Sequence, residues 1–301
     1  MYKEILEIIC KLMNVNEEEI SDITQLTIGM TNRSYIFIYK NERYIVRIPG
    51  VGTDTIINRE EEAAVYNAVN GKGICEDIIY INPENGYKIS KFIENTHVCD
   101  STNKDDVVLF LNTLCKFHEL NLKVDHEWDT YEKFETYDSM WRGQPSIFTD
   151  YEELKEQIFD LRAYIEKYSG EKALTHIDAV EINTLITNDK ENPRAYLIDW
   201  EYAAMNDPHV DLVAFILFAN YDKKQTDWFI DKYFEIRNQK CSYETRTKIY
   251  ALMATFGLLW TSWCEAKRVE GQDYTDYEKT QYKFANDYLK YVQERLRRKS
   301  A

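Results

Sequence analysis

The spacing of apolar and polar residues divides the chain into a strand-rich beginning and a mostly helical remainder. Apolar residues at helical spacing predict an opening helix within residues 1–20. Two segments rich in β-branched and aromatic residues, 34–39 and 43–48, are separated by a short polar connection and predict a β-hairpin. A further strand is expected near residues 24–28, before this hairpin.

The next forty residues continue the strand-rich region around one inserted helix. The pattern of residues 57–70 predicts a helix that Gly71 closes. Residues 78–93 predict two strands around a turn that contains Asn-Gly.

The pattern then changes to helical periodicity. It predicts helices over residues 107–120, 151–168, 211–221, 226–237 and 243–268. One break, between the second and third of these helices, predicts two short strands joined by a polar turn. This order of elements predicts an α+β fold of two lobes. Residues 1–93 would form a small antiparallel-sheet lobe and residues 94–301 a larger, mostly helical lobe.

The charge of the chain narrows the class of partner. The sequence of 301 residues carries 52 acidic and 37 basic residues, a net charge of −15. Binding to nucleic acid needs clustered Lys and Arg, so we expect no nucleic-acid partner. The longest unbroken apolar run, 212–219, is too short to cross a membrane, and no membrane insertion is expected.

The cysteines indicate the compartment. All six are scattered, without a pair at metal-ligand spacing, and the first residues do not read as a secretory signal. Both observations predict reduced thiols in a cytoplasmic protein. The sequence leaves the oligomeric state open.

One sequence motif combines residues that are suited to catalysis. His176, Asp178 and Asn183 follow the pattern H-x-D-x-x-x-x-N, and Asp199 comes sixteen residues later at the end of a predicted strand. Phosphoryl transfer from ATP needs a carboxylate that accepts the attacking hydroxyl proton and oxygen ligands that hold Mg²⁺. The pattern therefore predicts Asp178 as the base, Asn183 and Asp199 as Mg²⁺ ligands, and His176 as a residue that holds the loop.

Several motifs, taken in order, resemble one family. They are IGMTNRSY (28–35), YIVRIPGVGT (44–53), INREEE (57–62), THIDAVEIN (175–183), YLIDWEYAAMNDPHVDLV (196–213) and LLWTSW (258–263). The chain is similar to the choline/ethanolamine kinase group, particularly the bacterial LicA-type choline kinases. That group lies within the wider aminoglycoside-phosphotransferase and protein-kinase-like fold. The resemblance implies an ATP- and Mg²⁺-dependent kinase that phosphorylates the hydroxyl of choline.

The resemblance also implies the nucleotide-binding positions. Gly29, Thr31 and Asn32 belong to a turn similar to the loop that covers the phosphates. Arg47 occupies the place of the strand-three lysine of protein kinases.

The helix partner of Arg47 and the adenine hinge are implied in the same way. Glu62 is our choice for the partner, with Glu60 and Glu61 as alternatives. The segment from Lys91 to Ile93 resembles the hinge that meets adenine.

Aromatic residues late in the chain resemble a pocket for choline. Trp260 and Trp263, three residues apart, match the tryptophan pair that lines this pocket in the family. Tyr282 is assigned to the same pocket, with Tyr274 and Tyr277 as further aromatic candidates.

Glu201 and Phe218 complete the assigned substrate residues, and Phe218 marks a departure from the family. Relatives usually carry an acidic residue at the position of Phe218. An aromatic wall there would suit trimethylammonium better than a primary amine. The alternatives are a kinase for ethanolamine, another amino alcohol or an aminoglycoside, and a non-catalytic protein that binds a small cation.

Overall fold

The computed structural model describes residues 2–26, 32–50, 53, 57–141 and 143–300. They group into two units, each described here by itself. The first comprises Met1–His126 and Ile182–Ala204, and the second comprises Glu127–Glu181 and Met205–Ala301. The domain boundary at residue 93 remains a prediction.

Helices and strands are numbered along the chain. The strands are β1 (Ile20–Leu26), β2 (Arg33–Tyr39), β3 (Glu42–Ile48), β4 (Ile78–Ile81), β5 (Lys88–Lys91), β6 (Thr96–Val98), β7 (Ala173–Thr175), β8 (Thr184–Thr187), β9 (Ala195–Leu197) and β10 (Ala204–Asn206). The helices are α1 (Tyr2–Met13), α2 (Arg59–Val69), α3 (Lys104–Glu119), α4 (Thr130–Trp141), α5 (Tyr151–Phe159), α6 (Arg162–Tyr168), α7 (His209–Phe218), α8 (Lys223–Ile236), α9 (Tyr243–Val269) and α10 (Thr275–Ser300).

The expected hairpin forms the centre of the sheet in the first unit. Strands β2 and β3 pair antiparallel around Lys40 and Asn41, whose φ angles of 50° and 62° suit a tight two-residue turn. The sheet has the order β1-β2-β3-β5-β4, with antiparallel neighbours. Alternate residues such as Phe37 and Val46 point to the core that helix α1 covers. The predicted antiparallel lobe is confirmed in this respect.

Helix α2 begins where the sequence places a cap. The Asn58 side chain accepts hydrogen bonds from the backbone N–H groups of Glu60 and Glu61. This start leaves Glu60 and Glu61 exposed and turns Glu62 into the interior of the unit. Helical spacing puts Tyr66, four residues later, on the same face.

The second unit is built around helix α9. Nearly every residue from 247 to 266 is buried, so this helix is covered on all sides and packs against α4, α7 and α10. Gly257 permits the close approach of α10, because a Cβ atom there would lie 2.9 Å from the Gln281 carbonyl oxygen. None of the described helices combines the length and apolar composition needed to cross a bilayer.

The structure differs from the predicted helices in three places. Residues 151–168 form two helices, α5 and α6, because Leu161 makes a tight turn with its N–H on the Ile158 carbonyl. The spacing of buried residues continues through that turn, so the pattern hides the break. Helices α4 and α10 were not predicted. Helix α10 is very polar in composition, and its buried residues mix Tyr, Phe, Ala, Leu and Val with Glu278 and Gln281.

Candidate active site

The two predicted metal ligands, Asn183 and Asp199, run side by side in the first unit. Asn183 precedes β8 and Asp199 follows β9, and the Ile198 N–H donates to the Asn183 carbonyl oxygen at 2.9 Å. Asp199 has a φ angle of 65°, a left-handed conformation that Asp tolerates but that costs about 1 kcal/mol. Hydrogen bonds of the backbone N–H groups on either side, Ile198 to Asn183 and Trp200 to Tyr66, hold this strained backbone.

Arg47 and Glu62 form a buried ion pair beside Asp199. Arg47 Nη2 lies 2.5 Å from Glu62 Oε1, and Arg47 Nη1 lies 3.5 Å from Asp199 Oδ1. Burial alone would lower the pKa of Arg47, but the charge of Glu62 and its acidic neighbours raises it overall. Glu62, rather than Glu60 or Glu61, is thus the helix partner of Arg47.

Several polar atoms of this cluster are buried without a hydrogen-bond partner among the described residues. They include Nε and Nη1 of Arg47 and Oδ1 of Asp199. Buried polar groups normally have partners. Open guanidinium donors suit phosphate oxygens, and an open carboxylate oxygen suits Mg²⁺.

Glu201 belongs to the same charged cluster. Its Oε2 accepts a hydrogen bond from Asn32 Nδ2 at 3.1 Å and lies 4.0 Å from Arg59 Nη1. Burial, and next the negative charge of Asp199, raise the pKa of Glu201 to about 8. The sequence assigned Glu201 to the substrate and Asn32 to the nucleotide, and the structure joins these two side chains.

The other residues that the sequence analysis assigned to nucleotide binding are not part of this charged cluster as described. Gly29 and Thr31 lie outside the described residues. The backbone N–H of Lys91 donates to Asp77 at 2.9 Å, and its exposed Nζ donates to Glu42. The carbonyl oxygen of Ile93 accepts from Thr96 Oγ1 at 3.3 Å. Their assignment to an adenine hinge remains a prediction.

Tyr66 is a residue of this unit that the sequence analysis missed. Its hydroxyl oxygen accepts hydrogen bonds from Lys88 Nζ at 2.6 Å and from the Trp200 N–H at 3.3 Å. Lys88 is itself buried and lies 2.5 Å from Glu76 Oε1. Tyr66 therefore fixes the backbone directly after Asp199. Its position one turn after Glu62 was the available signal.

In the second unit, the loop with His176 and Asp178 follows β7. Hydrogen bonds to the Asp211 side chain hold its backbone. The Asp211 carboxylate, fully buried, accepts from the N–H groups of His176 at 3.1 Å and Ile177 at 2.7 Å. Ile177 has a φ angle of 68°, which is strained for a β-branched residue. Asp178, next along the chain, is half-buried. The sequence motif contained Asp211 but gave it no role.

The predicted aromatic residues divide into three contacts. Trp260 and Trp263 meet edge to face with ring centroids 6.5 Å apart, and Trp263 lies 5.1 Å from Tyr274. Tyr282 instead stacks on Phe148 at 3.7 Å and donates its hydroxyl proton to Asp150.

Phe218 makes the third contact, with Tyr277, at 6.4 Å between ring centroids. Burial chiefly, then Cys264 and the charge of Asp178, raise the pKa of the Tyr277 phenol. Because such an effect falls with distance, Tyr277 lies within electrostatic reach of the predicted base. Phe218 thus contacts a tyrosine that Asp178 influences.

The side chains of Asn183 and Asp199 suit a metal ion that is bound jointly by the protein and a phosphate group. Among the described residues, no group of three or more His, Cys, Asp or Glu side chains is arranged to hold a metal ion. Mg²⁺ in kinases is commonly bound by one or two protein ligands together with substrate phosphates. Asn183 and Asp199 fit that description.

Comparisons with known proteins agree on one family. The family model described as choline/ethanolamine kinase matches residues 23–251. Protein LicA of Haemophilus influenzae strain Rd is 24% identical over 258 residues, which cover 82% of this chain and 94% of that protein.

Solved structures give the fold. The choline kinase LicA from Streptococcus pneumoniae has a TM-score of 0.81 and 29% identity, covering 96% of this chain and 98% of that one. An aminoglycoside phosphotransferase, 13% identical with a TM-score of 0.68 over 96% of this chain and 99% of that one, shares the fold alone. The expected two-lobed α+β kinase-like fold is confirmed. The chain therefore belongs to the choline/ethanolamine kinase family, a family of phosphotransferases that act on an alcohol.

Proposed function

We propose that this kinase phosphorylates choline and uses Mg²⁺ with ATP. One observation carries the choice of acceptor, namely the contact of Phe218 with Tyr277, a tyrosine that Asp178 influences. A quaternary ammonium group donates no hydrogen bond and is best held by aromatic faces. A primary ammonium needs acceptors for its three N–H groups. Phe218 supplies a ring face and no such acceptor.

The tryptophan pair supports the same acceptor. Trp260 and Trp263 of helix α9 and Tyr274, directly before helix α10, form a second aromatic group in the unit that contains Asp178. Each cation–π contact contributes about 0.5–2 kcal/mol, so a few ring faces can hold a cation without a paired carboxylate.

Asp178 is the proposed base of the reaction. The hydroxyl oxygen of choline forms a bond to the γ-phosphorus of ATP while the bond from that phosphorus to ADP breaks. The hydroxyl proton passes to Asp178, and the products are phosphocholine and ADP. Asp211 holds the backbone of the loop, so that Asp178 keeps its position without the help of a ligand.

Arg47 is the proposed phosphate-binding residue. Glu62 fixes its guanidinium from one side, and Nε and Nη1 are the proposed donors for phosphate oxygens, with Nη1 also facing Asp199 Oδ1 at 3.5 Å. Asn183 and Asp199 would hold Mg²⁺, which neutralises charge on the phosphates during transfer. Among the six cysteines, all of them described, there is no disulfide, which supports the proposed cytoplasmic setting.

An acceptor panel tests the proposal. ADP release is measured with choline, ethanolamine, other amino alcohols and aminoglycosides, and products are identified by mass spectrometry. We expect the highest kcat/KM with choline, a phosphocholine product, and no turnover without a divalent cation. A higher kcat/KM with ethanolamine or an aminoglycoside would overturn the choice of acceptor.

A further inference from the structure

The hydroxyl of Tyr66 joins a buried ion pair to the segment that carries Asp199. Lys88 Nζ lies 2.6 Å from the Tyr66 hydroxyl oxygen and 2.5 Å from Glu76 Oε1. These three side chains belong to residues that are at most 6% exposed. A buried ion pair rarely adds net stability compared with apolar residues of similar size. The three polar side chains therefore point to a role other than stability.

Lys88 fixes the place of the Tyr66 hydroxyl oxygen. A hydrogen bond from an ammonium group is shorter and stronger than one between neutral groups. Lys88 is itself held by Glu76, so the phenol oxygen stays where it can accept a second hydrogen bond. The second donor is the backbone N–H of Trp200, at 3.3 Å.

The side chain of Trp200 is held by contacts of its own. Its indole N–H donates to the Leu197 carbonyl oxygen at 3.0 Å, and its ring meets Phe117 edge to face with centroids 4.9 Å apart. The bond to Tyr66 acts instead on the peptide group between residues 199 and 200. The orientation of that peptide group is set by the ψ angle of Asp199.

The backbone of Asp199 depends on such contacts. Its φ angle of 65° is a left-handed conformation that persists in residues other than glycine when the surroundings hold it. The bond from the Ile198 N–H to the Asn183 carbonyl oxygen holds the chain on one side, and the bond from Trp200 to Tyr66 holds it on the other. Without the second bond, unstrained conformations of Asp199 gain population at the expense of this one.

We propose that Tyr66 is a positioning residue for the metal site, because its hydroxyl oxygen keeps Asp199 in the conformation that binds Mg²⁺. This inference rests on the proposed function, in which Asp199 is a Mg²⁺ ligand. When a ligand binds only one of several conformations, its apparent affinity falls with the population of that conformation. Helix α2 then serves the site twice, since Glu62 pairs with Arg47 one turn before Tyr66.

Hydrogen exchange tests the contact itself in the ligand-free protein. NMR measures the exchange rate of the Trp200 amide in the wild type, Tyr66→Phe and Tyr80→Phe. Tyr80 is the matched control, because it lies in the same unit and its hydroxyl also accepts an N–H hydrogen bond, from Asn82 at 3.2 Å. We expect slow exchange in the wild type and in Tyr80→Phe, and exchange about tenfold faster in Tyr66→Phe.

Calorimetry tests the consequence for the metal. ATP binding is measured at increasing Mg²⁺ concentrations, and the half-saturating Mg²⁺ concentration is compared between the three proteins. We expect it to rise about tenfold in Tyr66→Phe and to stay unchanged in Tyr80→Phe. ATP affinity without Mg²⁺ should equal that of the wild type in both variants. A merely structural role would lower the melting temperature and leave the half-saturating concentration unchanged.

A double variant covers the case in which Tyr66→Phe does not fold. Lys88→Met combined with Glu76→Gln removes both charges together and leaves neither as a buried charge without its partner. This protein keeps the Tyr66 hydroxyl but loses the ammonium group that fixes it. We therefore expect a smaller rise, of about threefold, in the half-saturating Mg²⁺ concentration.

Equal Trp200 exchange rates in the wild type and Tyr66→Phe would overturn the inference, as would equal half-saturating Mg²⁺ concentrations. If Tyr66→Phe does not fold, an unchanged concentration in the double variant overturns it. ATP binding by the wild type that does not depend on Mg²⁺ would instead refute the proposed use of the metal. The wild-type protein thus tests the proposed function, and the variants test the role of Tyr66.

Discussion

Two regions of the molecule are built from different interactions. The charged cluster of the first unit consists of buried ion pairs, whereas the aromatic residues of the second unit contact one another through their rings. In the cluster, Arg47 and Arg59 are buried positive charges that both pair with the buried carboxylate of Glu62 before any ligand binds. In the second unit, Phe218 and Tyr277 meet ring to ring, as do Trp260 and Trp263.

The difference corresponds to two kinds of ligand. A polyanion such as ATP needs fixed positive donors, and fixing them requires buried counter-charges such as Glu62. A trialkylammonium alcohol needs ring faces and one hydrogen bond, which neutral groups provide. The comparison predicts that substitutions in the two regions affect different substrates.

Among the substitutions that contrast the two regions, the largest effect is expected from Asp199→Asn. The amide keeps the shape of the side chain but removes the charge proposed to bind Mg²⁺, a loss of several kcal/mol of transition-state stabilisation. This corresponds to a fall of about 10²–10³-fold in kcat. The measurement is initial rate against Mg²⁺ concentration, together with the thermal shift that Mg-ATP produces.

Asp189→Asn is the control for Asp199→Asn, since Asp189 is exposed in a turn of the same unit. Its rate and thermal shift should match the wild type. An Asp199→Asn protein with a wild-type dependence on Mg²⁺ would remove Asp199 from the proposed ligands.

A smaller and selective effect is expected from Trp263→Leu. Losing one cation–π contact, worth about 0.5–2 kcal/mol, should raise KM for choline about 3–30-fold. KM for ATP should stay constant, because Trp263 belongs to the aromatic group. Trp228→Leu, a half-buried tryptophan in α8, is the control. If KM for ATP rose as much as KM for choline, the two regions would not be functionally distinct.

A separate effect, on stability rather than on turnover, concerns the pH dependence at Glu278, which is fully buried. Burial, and next the charge of Glu265, raise its pKa from 4.5 to about 7. The folded chain thus keeps a proton that the unfolded chain releases above about 4.5, so the free energy of unfolding falls as pH rises to about 7. The expected fall from this group is about 1–3 kcal/mol.

Glu278→Gln should remove this part of the pH dependence. Denaturant unfolding at pH 5, 6, 7 and 8 checks it, with Glu270→Gln, an exposed surface residue, as the control. Equal slopes against pH for the wild type and Glu278→Gln would show that Glu278 is ionised throughout.

The sequence predicted the parts of the site that local chemistry specifies. The H-x-D-x-x-x-x-N pattern placed Asp178 after a strand, and the register of helix α2 brought Glu62 to Arg47. Asn183 and Asp199 were expected together and lie on adjacent backbone segments. These features follow from short-range spacing.

The missed residues depend on contacts between distant segments. Asp211 meets the loop that carries Asp178 from 34 and 35 residues away in sequence, and Tyr66 meets Trp200 across 134 residues. No local pattern identifies such pairs, because the fold alone brings them together.

The most direct measurement is the rate of choline phosphorylation by Asp178→Asn. The amide cannot take up the hydroxyl proton, so we expect kcat to fall about 10³-fold. ATP affinity and melting temperature should equal those of the wild type, because Asp211 holds the loop backbone independently of the 178 side chain. A variant that retains a tenth or more of the wild-type kcat would contradict the role of Asp178 as the proton acceptor.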